Sequence, residues 1–215
     1  MKWIVRLIIA LLFLMGGTLV ASPFIKEGLI ARLSSHYMTM PMTANQLAEN
    51  SRRKATYHFQ SIDPPGIMET VRSGLTVDRR AIIGQITIPS VGIQLPILKG
   101  TTSANLLGGA TTMRPDQRMG AGNYPLAGHH MREQNLLFGP LMHIQKGARI
   151  VITNLKTDYV YQVAQRKIVP ETEGAIIDQT KSAQITLVTC DKPTRTPNRL
   201  IVIGKLVDTH AHDKK

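Results

Sequence analysis

The sequence predicts a mainly β protein, a closed barrel or a sandwich with few helices, behind an N-terminal apolar helix. Three observations predict it. From Ala81 onward, short runs alternate apolar and polar residues between Gly and Pro punctuation, the mark of paired strands. Residues 3–25 (WIVRLIIALLFLMGGTLVASPFI) carry a single charge, Arg6. The 215 residues, 43% hydrophobic and 19% charged, suit one sizeable core and exclude a chain disordered throughout.

The apolar run comes first. Crossing the hydrocarbon core takes roughly 20 mostly apolar residues, and the stretch from Trp3 suffices if Arg6 snorkels to the headgroups. Pro23 just after Ala21-Ser22, and the lack of a clean A-x-A site, argue against a cleaved signal peptide. Lys2 and Arg6 on the short side favour a cytoplasmic N-terminus; Lys26 and Arg32 weaken that bias without reversing it. The expectation is a single-pass membrane protein, residues 1–25 as signal anchor, with the bulk of the chain outside the cell. Residues 26–80 read as a juxtamembrane stalk or appendage. In it, 26–33 can prolong the membrane helix and the start of ENSRRKATYHFQ has helical composition. Asp63-Pro64-Pro65-Gly66 is a break, and 67–72 reads as one more short helix. Arg52-Arg53-Lys54 is a solvated face, with anionic lipid as its functional alternative.

The domain proper is placed at 81–208. AIIGQITIPSVGIQLPIL reads as two paired strands. TTSANLLG opens on a possible cap and gives a turn or two of helix. Further strands are expected at 124–127, 149–153, 159–169, 185–189 and 200–207, with a short helix at 136–143. Roughly seven or eight short strands point to a closed barrel or a sandwich. Residues 209–215 form a polar tail.

Lys+Arg 26 against Asp+Glu 14 gives a net charge of +12. Such a balance favours anionic surroundings. With 5% aromatics and no RNP, zinc-finger or helix-turn-helix pattern, nucleic acid is not the expected partner. Acidic headgroups or wall polymers fit as well.

A single cysteine, Cys190, excludes an intrachain disulfide framework and a multi-thiolate metal site. In an exported chain it is an intermolecular bridge, a reactive thiol or an inert buried side chain. Its setting is TLVTC, at a strand end where side chains emerge at a sheet rim. LAGHHM puts His129 and His130 just after another strand, and TPNRLIVIG puts Arg199 at the start of the next. His129 and Cys190 lie far apart in sequence, so only the fold can bring them together. Cys190 and Arg199 are close enough for one loop between neighbouring strands.

TLVTC, the upstream LAGH and the Arg entering the final strand together resemble the signature of sortases, cysteine transpeptidases of Gram-positive bacteria; GQITIPSVGIQLPI is similar to the family's first strands. The resemblance covers about residues 81–207. It implies a closed sortase-type β-barrel of about eight strands with short helices. The N-terminal anchor is similar to the housekeeping class A. Asp63-Pro64-Pro65 lacks the aromatic residue of the lid found in class C.

The resemblance implies roles that chemistry explains. Cys190 is the nucleophile, since a thiol of reference pKa ~8.5 reacts as its thiolate. His129 is the cationic or proton-accepting partner that populates that thiolate, and it afterwards protonates the leaving amine. Arg199, which keeps its proton, donates to the substrate carbonyl and the oxyanion, with the N–H of Asp191 as a second donor. The implied substrate is an LPXTG-type sorting signal, cut between Thr and Gly, with a lipid-linked cell-wall precursor amine taking the acyl group. Ala127 and Val188 match positions lining the apolar groove. Thr189 matches the residue before the nucleophile, which orients substrate by hydrogen bonding. The segment including Val169, Pro170, Ile176 and Ile177 is the expected specificity loop.

No cofactor is expected, calcium included: Asp116, Glu171 and Glu173 are too scattered for a hard-oxygen site. His130 is expected to modulate or bond locally, and His143 to be a surface residue. His210 and His212 sit in the tail, and adjacent histidines are poorly spaced for zinc. Two other functions remain: a cysteine peptidase releasing its acyl group to water, and a non-catalytic wall-binding module with an incidental thiol. The SHGC signature of L,D-transpeptidases is absent.

Overall fold

The alternation that marks the strands has a simple cause: a β-strand sends successive side chains to opposite faces, so a half-buried strand needs an apolar residue at every second position. A computed structural model describes residues 2–58 and 78–213, apart from the side chains of residues 19, 20 and 23. The strands close into one barrel. They are β1 (Ile82–Ile88), β2 (Ile93–Leu98), β3 (Ala110–Thr112), β4 (Asn123–Ala127), β5 (Arg149–Thr153), β6 (Thr157–Pro170), β7 (Gln184–Cys190) and β8 (Asn198–Ala211). Around the barrel the order is β1-β2-β3-β4-β7-β8-β6-β5.

β1 and β2 pair antiparallel through a 3-10 turn, Pro89–Val91, closed by Gly92 at φ 68, where a residue without Cβ avoids strain. Two pairings are parallel, β2 with β3 and β4 with β7. Each needs a crossover. The first runs through the helix α3 (Ser103–Gly108), whose cap is Thr102, its side chain accepting from Asn105 N. The second leaves room for β5 and β6 between β4 and β7 in sequence. The barrel interior is filled by Ile86, Ile88, Ile97, Leu126, Tyr161 and Leu187 among others.

Two strand expectations need correction. β3 is only three residues long, too short for alternation to show. β8 continues to Ala211, so the expected tail is in part strand: Thr209–Ala211 pairs with Thr157–Tyr159 of β6. This ribbon is exposed beyond Leu206 and buries no apolar face, so hydropathy gave no signal; His212 Nδ1 lies 2.7 Å from Asp158 Oδ1 at its end. The region 136–143 forms a 3-10 helix at Gly139–His143.

α1 (Lys2–Thr39) is one helix that runs well past residue 25. Its outer half buries Glu27, Ile30, Ser34 and Tyr37 at helical spacing, so this part of the appendage lies on the barrel rather than standing apart from it. Its inner half leaves Trp3, Leu7, Leu11 and Phe13 exposed. Among the described residues no helix is long and apolar enough to cross a membrane. α2 (Ala44–Arg52) starts at a capping box of Thr43 and Gln46 and packs on β1. The helix expected at 67–72 and the Asp63-Pro64-Pro65 break lie outside the described residues.

Candidate active site

Three strand ends build the site. Cys190 is the last residue of β7 and stands directly across from Arg199 of β8. Cross-strand partners share a face of the sheet, their Cβ atoms ~5 Å apart. β4 runs parallel to β7 with Ala127 beside Val188, and Gly128 N donates to Val188 O at 3.1 Å. Two residues further in the same register, His129 comes level with Cys190. His130 fixes that alignment: its Nδ1–H donates to the carbonyl of Cys190 at 2.9 Å, which sets the ring tautomer. The stretch after the histidines leaves the barrel at His130 and returns at Leu137, and Phe138 N donates to His129 O. Gly128 is demanded by this packing, since a Cβ there would lie 2.6 Å from the ring of the fully buried Phe138.

The three expected catalytic residues are thus brought together, and all are buried, with Cys190 and His129 each 1% exposed and Arg199 8%. On the same face of β7 and its neighbours lies an apolar cluster separate from the barrel core. It contains Cys190, Ala127, Val188, Ile201, Val169, Leu106 and Met113, with Ile176 and Ile177 packed against it. Both expected groove residues are in it. Thr189 is not: strand alternation turns it to the other face of β7, where it is fully buried and Oγ1 has no hydrogen-bond partner among the described residues.

The guanidinium of Arg199 is held on three sides. Nη1 donates to Thr196 O at 2.8 Å and to Asn198 O at 3.1 Å, and Nη2 donates to Glu171 Oε2 at 2.7 Å. Glu171 begins the loop between β6 and β7, and its N–H donates to Pro197 O, tying that loop to the one leading into β8. The rest of the loop is pinned by Asn123, whose Nδ2 donates to Ile176 O and Asp178 O, both at 3.0 Å. Arg114 reaches Asp178 at 3.4 Å and binds Asp116 at 3.0 Å; that hydrogen bond, against a smaller desolvation effect, holds the Asp116 carboxyl below its ordinary value.

Sequence reasoning missed Glu171 as a partner of Arg199, having weighed it only as a calcium ligand. It also missed Asn123, Leu106, Met113 and Ile201. Only Ile201 carried a signal, two positions after Arg199 and so on the same strand face. His143 is exposed on its 3-10 helix, and His210 and His212 pair with Asp208 and Asp158 near the end of β8. A cavity of about 710 Å³, lined by Leu47, Ile83, Lys99, Tyr124 and Tyr159 among others, touches none of the three catalytic candidates. The arrangement sets a thiol, an imidazole and a fixed guanidinium beside an apolar cluster, groups that are chemically able to serve acyl transfer.

Comparison with known proteins agrees. The Sortase domain family matches residues 86–207. The chain is 43% identical over 210 residues to Sortase A of Listeria monocytogenes, covering 98% of this chain and 95% of that protein. It is 34% identical over 209 residues to Sortase A of Bacillus anthracis, covering 97% of each. Among solved structures, that of Listeria monocytogenes sortase A superposes with a TM-score of 0.62 at 54% identity, over 62% of this chain and 92% of that one. With the barrel, the convergent strand ends and these likenesses in agreement, the chain belongs to the sortase family of cysteine transpeptidases.

Proposed function

We propose that this chain is a membrane-anchored transpeptidase that cuts an LPXTG-type sorting signal between Thr and Gly and joins the surface protein to a lipid-linked cell-wall precursor amine. The observation that carries the reading is the pairing of Cys190 with Arg199 across β7 and β8, with His129 brought level by the β4–β7 register. The Cys190 thiolate attacks the Thr carbonyl carbon, and the oxyanion is met by Arg199 and the N–H of Asp191. The C–N bond to Gly breaks as His129 gives its proton to the departing amine, leaving a thioester. The acceptor amine then attacks, its proton passes to His129, and the C–S bond breaks to restore the thiolate.

Ala127, Val188 and Ile201 offer the Leu-Pro pair an apolar bed beside the turn carrying Ile176 and Ile177. Thr189 supports Cys190 from behind, and its hydroxyl bears on substrate only through that neighbour. The reaction needs no calcium. Each of the three scattered acids already faces a cation: Asp116 with Arg114, Glu171 with Arg199, Glu173 with Lys167. Anchoring rests on the apolar run at 3–25, which places the barrel outside the cell.

The test is to incubate the full chain in detergent with an LPXTG peptide and a glycine-type amine, then weigh the product. A ligated peptide absent from Cys190→Ala supports the reading. Release of the free acid alone, at equal rate with and without amine, makes the chain a hydrolase. Peptide bound but uncut makes it a binding module.

A further inference from the structure

α1 fixes which end of the barrel meets the membrane. At the inner end of its buried stripe, Glu27 Oε1 accepts the backbone N–H of Arg132 at 3.1 Å and of Glu133 at 3.3 Å. These lie in the excursion that leaves the barrel at His130 and returns at Leu137, at the catalytic end. At the outer end of the stripe, Tyr37 clusters with Ile82 and Leu98, with Leu155 packed against them. There β1 begins, β2 ends and β5 turns into β6. β6 runs from that turn to Pro170, which pairs with Asn198 next to Arg199, so the turn lies at the end of the barrel remote from Cys190. Ten residues of α1, ~15 Å of helix, therefore pass from the catalytic end to the remote end.

Glu27 follows Ile25, the last residue of the apolar run, by ~3 Å of rise. Resting on the reading that this run crosses the bilayer, we infer that the catalytic end of the barrel faces the membrane and docks on anionic lipid headgroups. The docking surface is a basic rim of Arg132, Lys192 and Arg195, all exposed, with the half-buried Lys26 preceding Glu27 on α1. The acids in the same two loops are Glu133, whose carboxylate accepts from Asn135, and the half-buried Asp191. Charge alone does not choose between the ends, because the remote end carries Lys156 and Arg79; the course of the helix does. Cys190 then stands at the level where an acceptor still attached to its lipid carries its amine, and that acceptor need not leave the bilayer to be joined.

The test uses the full chain carrying Cys190→Ala, with a spin label on Gln134→Cys at the catalytic end or on Lys156→Cys at the remote end, both exposed positions. The protein is reconstituted in phosphatidylcholine vesicles with or without phosphatidylglycerol, and headgroup-bound nickel reports proximity. Relaxation at 134 is expected to exceed that at 156 about threefold in anionic vesicles, and to fall by about half with Arg132→Glu and Lys192→Glu together. Equal relaxation at the two sites, or more at 156, overturns the orientation. Indifference to phosphatidylglycerol and to the double substitution overturns the docking. Recovery of the protein in the supernatant after an alkaline wash defeats the anchor itself and this inference with it. That outcome is distinct from a wrong orientation, in which the chain stays with the vesicles.

Discussion

Arg199 and Glu171 form an ion pair of 2.7 Å that links the base of β8 to the loop after β6, and so joins the strand opposite Cys190 to the loop that packs on the apolar cluster. Glu171 is half exposed, which limits such a pair to about 0–1 kcal/mol. Its role is to hold the fork of Arg199 in plane. Glu171→Ala is expected to lower kcat about two- to fivefold with KM little changed, and Glu171→Gln to recover most of the loss. Arg199→Lys, which keeps the charge but not the fork, is expected to lose about 100-fold or more. Steady-state transpeptidation of the four chains checks the ordering.

His130 and His129 differ in kind although they adjoin. His130→Ala removes the Nδ1–H that donates to the buried carbonyl of Cys190, at a cost of about 1–3 kcal/mol. A fall in Tm with residual ligation is expected, whereas His129→Ala is expected to ligate nothing. Thermal denaturation alongside the ligation assay separates the two.

Gly128 and Gly174 make a matched pair. A Cβ at Gly128 meets the ring of Phe138, and overpacking of this kind costs about 1–3 kcal/mol. Gly128→Ala is expected to lose activity beyond what its stability loss explains, because the shift falls on His129. A Cβ at Gly174 has nothing within 4 Å, and Gly174→Ala is expected to stay within about 0.5 kcal/mol of the parent.

The Asp116 carboxyl, held low by the hydrogen bond from Arg114, contributes stability above the unfolded carboxylate pKa of ~4 and loses it as pH falls through the lower folded value. The group is exposed, so the contribution is at most about 1 kcal/mol. Asp116→Asn is expected to narrow from that difference at neutral pH to none in strong acid, measured by urea unfolding across the range.

Calcium gives the simplest check. With Asp116, Glu171 and Glu173 each beside a cation, addition of Ca²⁺ to the chelated enzyme is expected to leave the ligation rate unchanged. A several-fold gain would contradict the reading.

The long strands were legible from local pattern, β6 by the alternation of Tyr159, Tyr161 and Val163 and the fully buried β7 by its β-branched residues, and β5, β6 and β7 fall within a few residues of where the sequence put them. β3 and the outer half of β8 were not, the first for its length and the second because cross-strand hydrogen bonding rather than burial keeps it extended. Cys190, His129 and Arg199 stood out by residue type and strand-end position. Glu171 did not, because an acid in a loop has no periodicity to betray a partner elsewhere.

By itself the sequence determined the residue types able to do the chemistry, the run of strands, and the apolar segment ahead of them, all properties of local pattern. Tertiary structure alone decided that His129 comes level with Cys190, that Glu171 holds Arg199, and that α1 lies along the barrel with Glu27 at its catalytic end. Those contacts join residues distant in the chain. Their geometry follows from strand register and barrel closure, which no local stretch encodes.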